Sequence, residues 1–387
     1  MRIVFASHSH FSPCMVVGSH HLARRLAGAG HEVFHLSSPL TPVHLTRLGR
    51  SPCRERFHAW LRGPRQIAPR LTGYIPLALV PWQIARRSLT PSSNLFAESM
   101  VAFEATVRRR GFAAPDLLLV DEPRLAGIQR LLRPERTYYR ATDLYSDFQR
   151  DPAVKNAERI LAAEADGVIG TSGPVVEWLR ALAPGLPSLL LENGVDYAHF
   201  SAPRPCPLEY RGLKGPRVIY MGVVDQRFDF LALRALAEAR PDVTFLLAGP
   251  VSTPIPAALR ARGNVVALGP RRYEDMPAYL QHADAGLLPF NSHSANRGRS
   301  PMKLYEYASA GLPVVSAATE EIVRRAEPFV FTYPAPAAAP EALEAALSTG
   351  GAALKAREAA RTRDWGRIAE ELLVFAAGKE ARQPVLI

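Results

Sequence analysis

MRIVFASHSHFSPCMVVGSHHLARRLAGAGHEVFHL, residues 1–36, sets the pattern for the whole chain. Met1–Ala6 is an apolar run rich in β-branched and aromatic residues, the mark of a buried strand. Val16–Ala29 places Val17, Leu22 and Leu26 at helical spacing, and Gly30 stops it. His31–Leu36 reads as the next strand. Strand, helix, glycine and strand make a βαβ unit, which implies a parallel sheet with its ligands at the carboxyl ends of the strands.

The same alternation continues outward. Strands are expected at Asp116–Val120, Thr137–Arg140, Gly167–Gly170 and Ser188–Leu191. Helices are expected at Arg124–Leu132, Ala153–Ala165 and Pro174–Leu182. Ser201–Pro216 breaks the rhythm with four prolines and little periodicity, and reads as an interdomain linker. A second series follows. Its strands are Val218–Met221, Val243–Ala248, Val265–Leu268, Ala285–Leu288 and Pro313–Ser316. Its helices are Phe228–Ala239, Tyr273–Gln281 and Met302–Ala310. Trp365–Ala377 carries a helical apolar stripe, with Asp364 placed to cap it.

The 387 residues suit two α/β domains. We expect an N-terminal domain over 1–198, joined by the C-terminal helix 365–387, and a second domain over 199–364. Two doubly wound halves facing a cleft would hold ligands between them.

The net charge is +11, which suits anionic partners. Only five of the 47 basic residues are lysines, so a single lysine carries more information here than a single arginine. Three cysteines without a CxxC pair argue against a disulfide framework and for a reducing cytoplasm. The N-terminus lacks the long apolar core of a signal peptide, and no run is long enough to span a bilayer.

Three segments of the second half carry chemistry. VIYMGVVDQRFD, Val218–Asp229, ends a strand at Gly222 and starts a helix near Phe228, a turn whose N–H groups suit a phosphate. An ordinary strand–helix turn has the same pattern. YEDMPAYLQHADAGLLPF, Tyr273–Phe290, reads mostly as scaffold. RGRSPMKLYEYASAGLPVV, Arg297–Val315, puts Lys303 and Glu306 one turn apart on one helix face. A surface ion pair has that spacing too. At the carboxyl edge of a sheet, however, the lysine can meet a diphosphate while the glutamate accepts hydrogen bonds from ribose hydroxyls.

SPMKLYEYASAGLPVVS resembles the donor-site signature of GT-B glycosyltransferases of the family-4 type and of the bacterial xanthan-type glucuronosyltransferases. YMGVVDQRFD, ENGVDYAHF and HHLARRLAGAGHEV are similar to the same families. The resemblance implies a GT-B fold: two Rossmann-like halves, with the C-terminal helix crossing back to the first. It implies phosphate contact by Lys303 and ribose contact by Glu306, with Ser300, Met302 and Tyr305 lining a nucleoside pocket. It also favours a UDP-sugar donor. Retaining family-4 enzymes usually carry a second glutamate eight residues before the ribose glutamate, and here that position is Gly298.

YYRATDLYSDFQRD, Tyr138–Asp151, follows a strand of the first half and is similar to a xanthan-type Y-R-A-S-D segment. By that resemblance Asp143 is the general base of an inverting transfer. An aspartate capping the next turn is the plainer alternative. Asp147 is a weaker candidate. Lys303, Arg299 and the Gly222 loop would stabilise the leaving diphosphate.

His44–Thr90 holds nine arginines against Glu55 alone. Within it, Leu71–Ile84 is apolar, with Tyr74 and Trp82 toward its ends. That composition suits a peripheral anchor on the inner face of a membrane, or else a buried element rimmed by solvated arginines. The acceptor is expected to be lipid-linked or a saccharide precursor.

His8 and His10 form an H-x-H after the first strand. Histidine is absent between His58 and His199, so the further ligands of a metallohydrolase are missing. Contact with the acceptor, or no role at all, is the reading left for His8 and His10. The chain has no D-x-D and no G-x-G-x-x-G after the first strand, so neither a bound metal nor a dinucleotide cofactor is expected. No nucleic-acid module is present. A nucleotide-sugar 2-epimerase of the same fold and a non-enzymatic binding module remain as rivals.

Overall fold

In the computed structural model, residues 1–12, 16–49, 51–145, 151–213 and 215–378 are described, apart from the side chains of 45, 51 and 52. The chain divides into two compact units. The first comprises Met1–Ser12, Val16–Glu192 and the chain from Ile368 onward, and the second includes Asn193–Arg367.

The first unit is built on an eight-stranded sheet. Its strands are β1 (Arg2–Ser7), β2 (Glu32–Ser37), β3 (Arg65–Ala68), β4 (Leu71–Tyr74), β5 (Leu117–Val120), β6 (Arg136–Ala141), β7 (Gly167–Gly170) and β8 (Ser188–Leu190). Their order is β3-β4-β2-β1-β5-β6-β7-β8. Every pairing is parallel except β3 with β4. The strands β1 and β5 are almost wholly apolar because helices cover both faces of a parallel sheet.

The second unit has a six-stranded, all-parallel sheet. Its strands are β9 (Arg217–Met221), β10 (Thr244–Ala248), β11 (Val265–Gly269), β12 (Ala285–Leu288), β13 (Val314–Ala317) and β14 (Val330–Tyr333). The order β11-β10-β9-β12-β13-β14 is the 3-2-1-4-5-6 winding of a Rossmann domain. Two apolar clusters pack against it, one around Leu304, Tyr305 and Tyr307 and one around Leu233, Leu236 and Leu343.

In both sheets the winding reverses beside the first strand, between β1 and β5 and between β9 and β12. Chains leaving those strands diverge there, which opens a crevice at the carboxyl edge. The sequence-predicted candidates Gly222 and His8 follow β9 and β1 directly.

Three expectations need correcting. Ser201–Pro216 is not a linker, because it lies within the second unit and Tyr210 is buried in that unit's core. The changeover falls at Glu192/Asn193, before residue 198. Arg124–Leu132 is not one helix: a 3-10 turn, Pro123–Leu125, and a short helix, Ile128–Leu132, are separated by Gly127 at φ +89.

The third correction concerns Leu71–Ile84. Leu71–Tyr74 is β4, paired with β2 inside the sheet. Tyr74 is 8% exposed and packs against Phe34. Trp82 is 5% exposed, and its indole N–H donates to Asp151 at 3.1 Å. Neither ring is available at a bilayer surface. No helix among the described residues is long and apolar enough to cross a membrane. The helix Trp365–Ala376 is present as expected, with Asp364 accepting from the Gly366 N–H at 2.8 Å.

Candidate active site

The donor-type candidates gather at the switch point of the second sheet. After β9 the chain turns at Gly222 with φ +143, and after β10 it turns at Gly249 with φ +150. Only glycine adopts such angles without strain. Space enforces the same choice. A Cβ on Gly222 would lie 2.5 Å from Lys303 Cε, and one on Gly249 would lie 2.0 Å from the Gly222 carbonyl oxygen. The two bare turns let the lysine lie against the backbone.

Lys303 and Glu306 project from the helix Met302–Ala310. Pro301 precedes that helix and supplies no capping side chain, and the Leu304 N–H donates to the Pro301 carbonyl at 3.2 Å, which leaves the Met302 and Lys303 N–H groups to meet a ligand anion. Tyr307, on the inner face, accepts the Met221 N–H at 2.8 Å and ties the helix to the end of β9. Ionic side chains crowd the site. Burial and the nearby Arg299 push the Lys303 ammonium down to about 8. Burial pushes the Glu306 carboxyl up, against the pull of Lys303. Glu306 is 5% exposed, and its carboxylate takes no hydrogen bond from any described residue. Its oxygens still reach the surface, where a ligand can donate to them.

Two further groups complete the cationic edge. Arg299 lies over the Phe290 ring at 5.3 Å. Arg227 is clamped by Asp225, with Nε at 3.0 Å and 3.1 Å from the two carboxylate oxygens. Burial opposes ionisation of Asp225, but hydrogen bonds from Arg227 hold it below the usual carboxylate range. Arg227, Asp225 and Gly249 were missed in the sequence, although Asp225 and Arg227 lie within the Val218–Asp229 segment.

Not every predicted residue faces this site. Tyr305 is wholly buried in the core, and its hydroxyl donates to Glu327 at 2.7 Å. Its ring is scaffold rather than pocket wall. Ser300 accepts from the Asn193 N–H at 3.2 Å and from Arg325 at 2.7 Å, so its hydroxyl holds the loop. Met302, at the first turn of the helix, is half-buried. Gly298 is buried.

The other candidates lie in the first unit, at the carboxyl ends of β1, β5 and β6. His8 meets the Tyr145 hydroxyl at 2.5 Å through Nε2, and its Nδ1 lies 3.7 Å from Glu122. Thr142 bridges to Tyr145 at 2.6 Å. Asp143 follows β6 and is half-buried beside them, and its charge helps to raise the Tyr145 hydroxyl well above its ordinary value, after burial. Asp147 lies outside the described residues. His10 meets Glu55 at 3.4 Å instead, and burial lowers its pKa, with Arg56 adding to the effect.

Beneath this edge sit two acid–base pairs that the sequence reading missed. Arg140 and Asp121, each 1% exposed, form an ion pair at 2.9 Å. Asp121 also accepts from Ser7 at 3.0 Å. Arg124 chelates Glu122, which accepts from Ser38 as well. Despite burial, these contacts hold Glu122 down to about 2. Asp121 and Glu122 directly follow the apolar run Leu117–Val120, and that position was the available signal.

Residues 215–349 match the family described as "Glycosyl transferases group 1". Over 247 residues the chain is 28% identical to TuaH of Bacillus subtilis (strain 168), whose name assigns it as a glycosyltransferase of teichuronic acid biosynthesis. That match takes in 60% of this chain and 62% of TuaH, less than two thirds of its length. Among solved structures, the sucrose-phosphate synthase of Thermosynechococcus elongatus superposes with a TM-score of 0.69 at 19% identity, over 97% of this chain and 100% of that one. HepE of Anabaena, in complex with UDP-glucose, superposes at 0.66 with 14% identity, over 98% and 100%. The winding of the two sheets and these likenesses give the chain the GT-B fold, and the matched group 1 glycosyl transferase domain lies in its second unit.

Proposed function

We propose that the chain transfers a sugar from a UDP-sugar to a lipid-linked or polysaccharide-precursor acceptor, with inversion at the anomeric carbon. The observation that carries this reading is the Lys303–Glu306 pair beside Gly222: a lysine pressed against a bare backbone turn and a buried carboxylate without a donor. The diphosphate meets Lys303, Arg299 and the open N–H groups of the helix Met302–Ala310. Glu306 accepts from the ribose hydroxyls. The solved HepE complex holds UDP-glucose on the same fold, which favours UDP. The name of TuaH favours a polysaccharide precursor.

In the transfer, Asp143 takes the proton from the acceptor hydroxyl as its oxygen attacks the anomeric carbon. The bond from that carbon to the diphosphate breaks, and UDP leaves with the electron pair. The cationic edge supplies the charge a metal would otherwise give, so transfer persists in a chelator. Incubation with radiolabelled UDP- and GDP-sugars, with and without acceptor, tests the reading. Label passing to acceptor from a UDP-sugar supports it. Failure to bind any nucleotide overturns it, and sugar isomerisation without acceptor makes the chain an epimerase.

The first unit also meets the inner membrane face peripherally in this reading. With Tyr74 and Trp82 in the core, the contact falls to exposed Leu79 and Ile84, at 58% and 57%, beside Arg86 and Arg87. Co-sedimentation with anionic but not neutral vesicles, lost at high salt, is the expected result. Equal pelleting with both kinds, or none at low salt, removes the membrane from the proposal.

A further inference from the structure

Past β2, at the carboxyl edge of the first sheet, three half-buried side chains lie within electrostatic range of one another. They are His44 on the short helix Pro42–Leu45, Arg56 on the helix Ser51–Leu61, and Arg124, which follows β5. Each has part of its donor set already fixed. Arg124 donates to Glu122 through Nε at 2.8 Å and Nη2 at 2.5 Å. Arg56 donates to the Ser38 carbonyl through Nη2. His44 Nδ1 accepts the Thr41 N–H at 3.0 Å, which puts the proton of the neutral ring on Nε2. Arg56 Nη1, Arg124 Nη1 and His44 Nε2 remain. They meet no acceptor among the described residues and are not sealed from the surface.

The charges of this corner do not cancel. Glu122 is matched by Arg124 and takes the Ser38 hydroxyl as well. Glu55, the only acid between His44 and Thr90, turns to His10 at 3.4 Å. Arg56 and, at the rim, exposed Arg47 have no acidic partner among the described residues. Burial lowers the Arg56 guanidinium, and Arg124 adds to the effect. Burial lowers the His44 ring too, helped by Arg56 and Arg47. The acids that follow β5 are paired, so the excess positive charge of this edge sits past β2.

We propose that this corner is a phosphate site for the acceptor, taking the phosphate of a phosphorylated sugar or of a lipid-linked sugar. It rests on the reading that the first unit holds the acceptor, and it names the charged group that acceptor carries. Three donors on separate elements, with two unmatched arginines, suit the several oxygens and double charge of a phosphomonoester or a diphosphate. A carboxylate brings two oxygens and one charge, and leaves an arginine over. The corner adjoins the proposed base. Glu122 lies 3.7 Å from His8, and Arg124 is within electrostatic range of Tyr145, two residues beyond Asp143. An acceptor anchored by its phosphate past β2 can extend along the edge toward Asp143, which follows β6.

The test is an NMR titration of the full chain that follows the imidazole signals of His44, with UDP present to fill the donor edge. The probes are glucose 6-phosphate, geranyl diphosphate, glucuronate and glucose. At least one of the two phosphates is expected to shift the His44 signals and to bind at least tenfold more tightly than glucuronate. The tighter of the two tells a soluble source from a lipid-linked one. Arg56→Gln is expected to weaken that phosphate at least tenfold. His44→Glu is expected to abolish its binding, while its carboxylate still accepts the Thr41 N–H as in a capping box. No His44 shift with either phosphate, glucuronate binding as tightly as both, or a phosphate affinity unchanged in both variants overturns the proposal. Should Arg56→Gln fail to fold, His44→Glu still decides. UDP affinity is measured by calorimetry in the same samples. UDP binding without a phosphate effect sinks this corner alone. Absence of UDP binding sinks the donor reading, and the phosphate titration, run then without UDP, still judges the corner.

Discussion

The two sheets reverse their winding at corresponding places, yet one carboxyl edge carries excess positive charge while the charges of the other are paired. In the second unit the edge holds Lys303, Arg299 and the paired Arg227, with Glu306 neutralised in part by burial. In the first unit the acids Asp121 and Glu122 are each matched by a buried or half-buried arginine. An edge with uncompensated positive charge waits for an anion, and its burial cost is repaid when the anion arrives. An edge whose charges are already paired suits a neutral hydroxyl group and a base beside it. On the proposed reading, the donor would meet the second unit's edge and the acceptor the first's.

The comparison breaks first at Asp143. If the first unit supplies the base, Asp143→Asn lowers kcat by about 10²–10⁴ while the affinity for UDP stays put. A near-wild-type rate removes Asp143 from the mechanism and favours a retaining reaction.

Arg140 tests whether the first edge is built on compensated charge. Arg140→Met leaves Asp121 buried and unpaired, and is expected to cost about 3–5 kcal/mol in urea unfolding. Adding Asp121→Leu recovers most of that loss. A cost below about 1 kcal/mol for the single variant would mean that water reaches the pair.

Lys303 tests the second edge. Lys303→Ala is expected to weaken UDP binding by about 2–3 kcal/mol, with the fold intact. An unchanged affinity by calorimetry rules out the phosphate contact.

The smallest effect is the pH dependence. The depressed Lys303 ammonium is charged below about 8 and neutral above it. UDP binding therefore weakens as pH rises through that value, by about tenfold for each further unit if only the charged form binds. Lys303→Arg is expected to flatten the profile between pH 7 and pH 9.5. A wild-type profile as flat as the variant's would show that the ammonium does not carry the interaction.

Much of this was legible in the chain before folding. The alternation of apolar runs and helical stripes placed β1, β2 and β12 within a residue or two, because a strand buried on both faces is a continuous apolar run. Lys303 stood out through the scarcity of lysine, and Glu306 through its spacing. Less visible were β3 and β4, since Arg65–Ala68 and Leu71–Tyr74 are short and flanked by arginines. The apolar segment Leu71–Ile84, which contains β4, read equally well as an anchor, because local pattern does not say which surface covers a ring. Tyr305 shows the same limit from the other side: it lies between Lys303 and Glu306 in sequence, yet with Leu304 it points into the core.

The sequence by itself determined that two parallel sheets form, where their carboxyl edges begin, and which helix brings a lysine and a glutamate to one of them. Periodicity and glycine placement are local properties, so they survive in a linear reading. Tertiary structure alone decided the charge state of those edges. Asp121 and Arg140 are 19 residues apart and Gly222 and Lys303 are 81 apart, so only the folded sheet brings them together. Burial then pushes Lys303 down and Glu306 up, because low-polarity surroundings disfavour charge on either group.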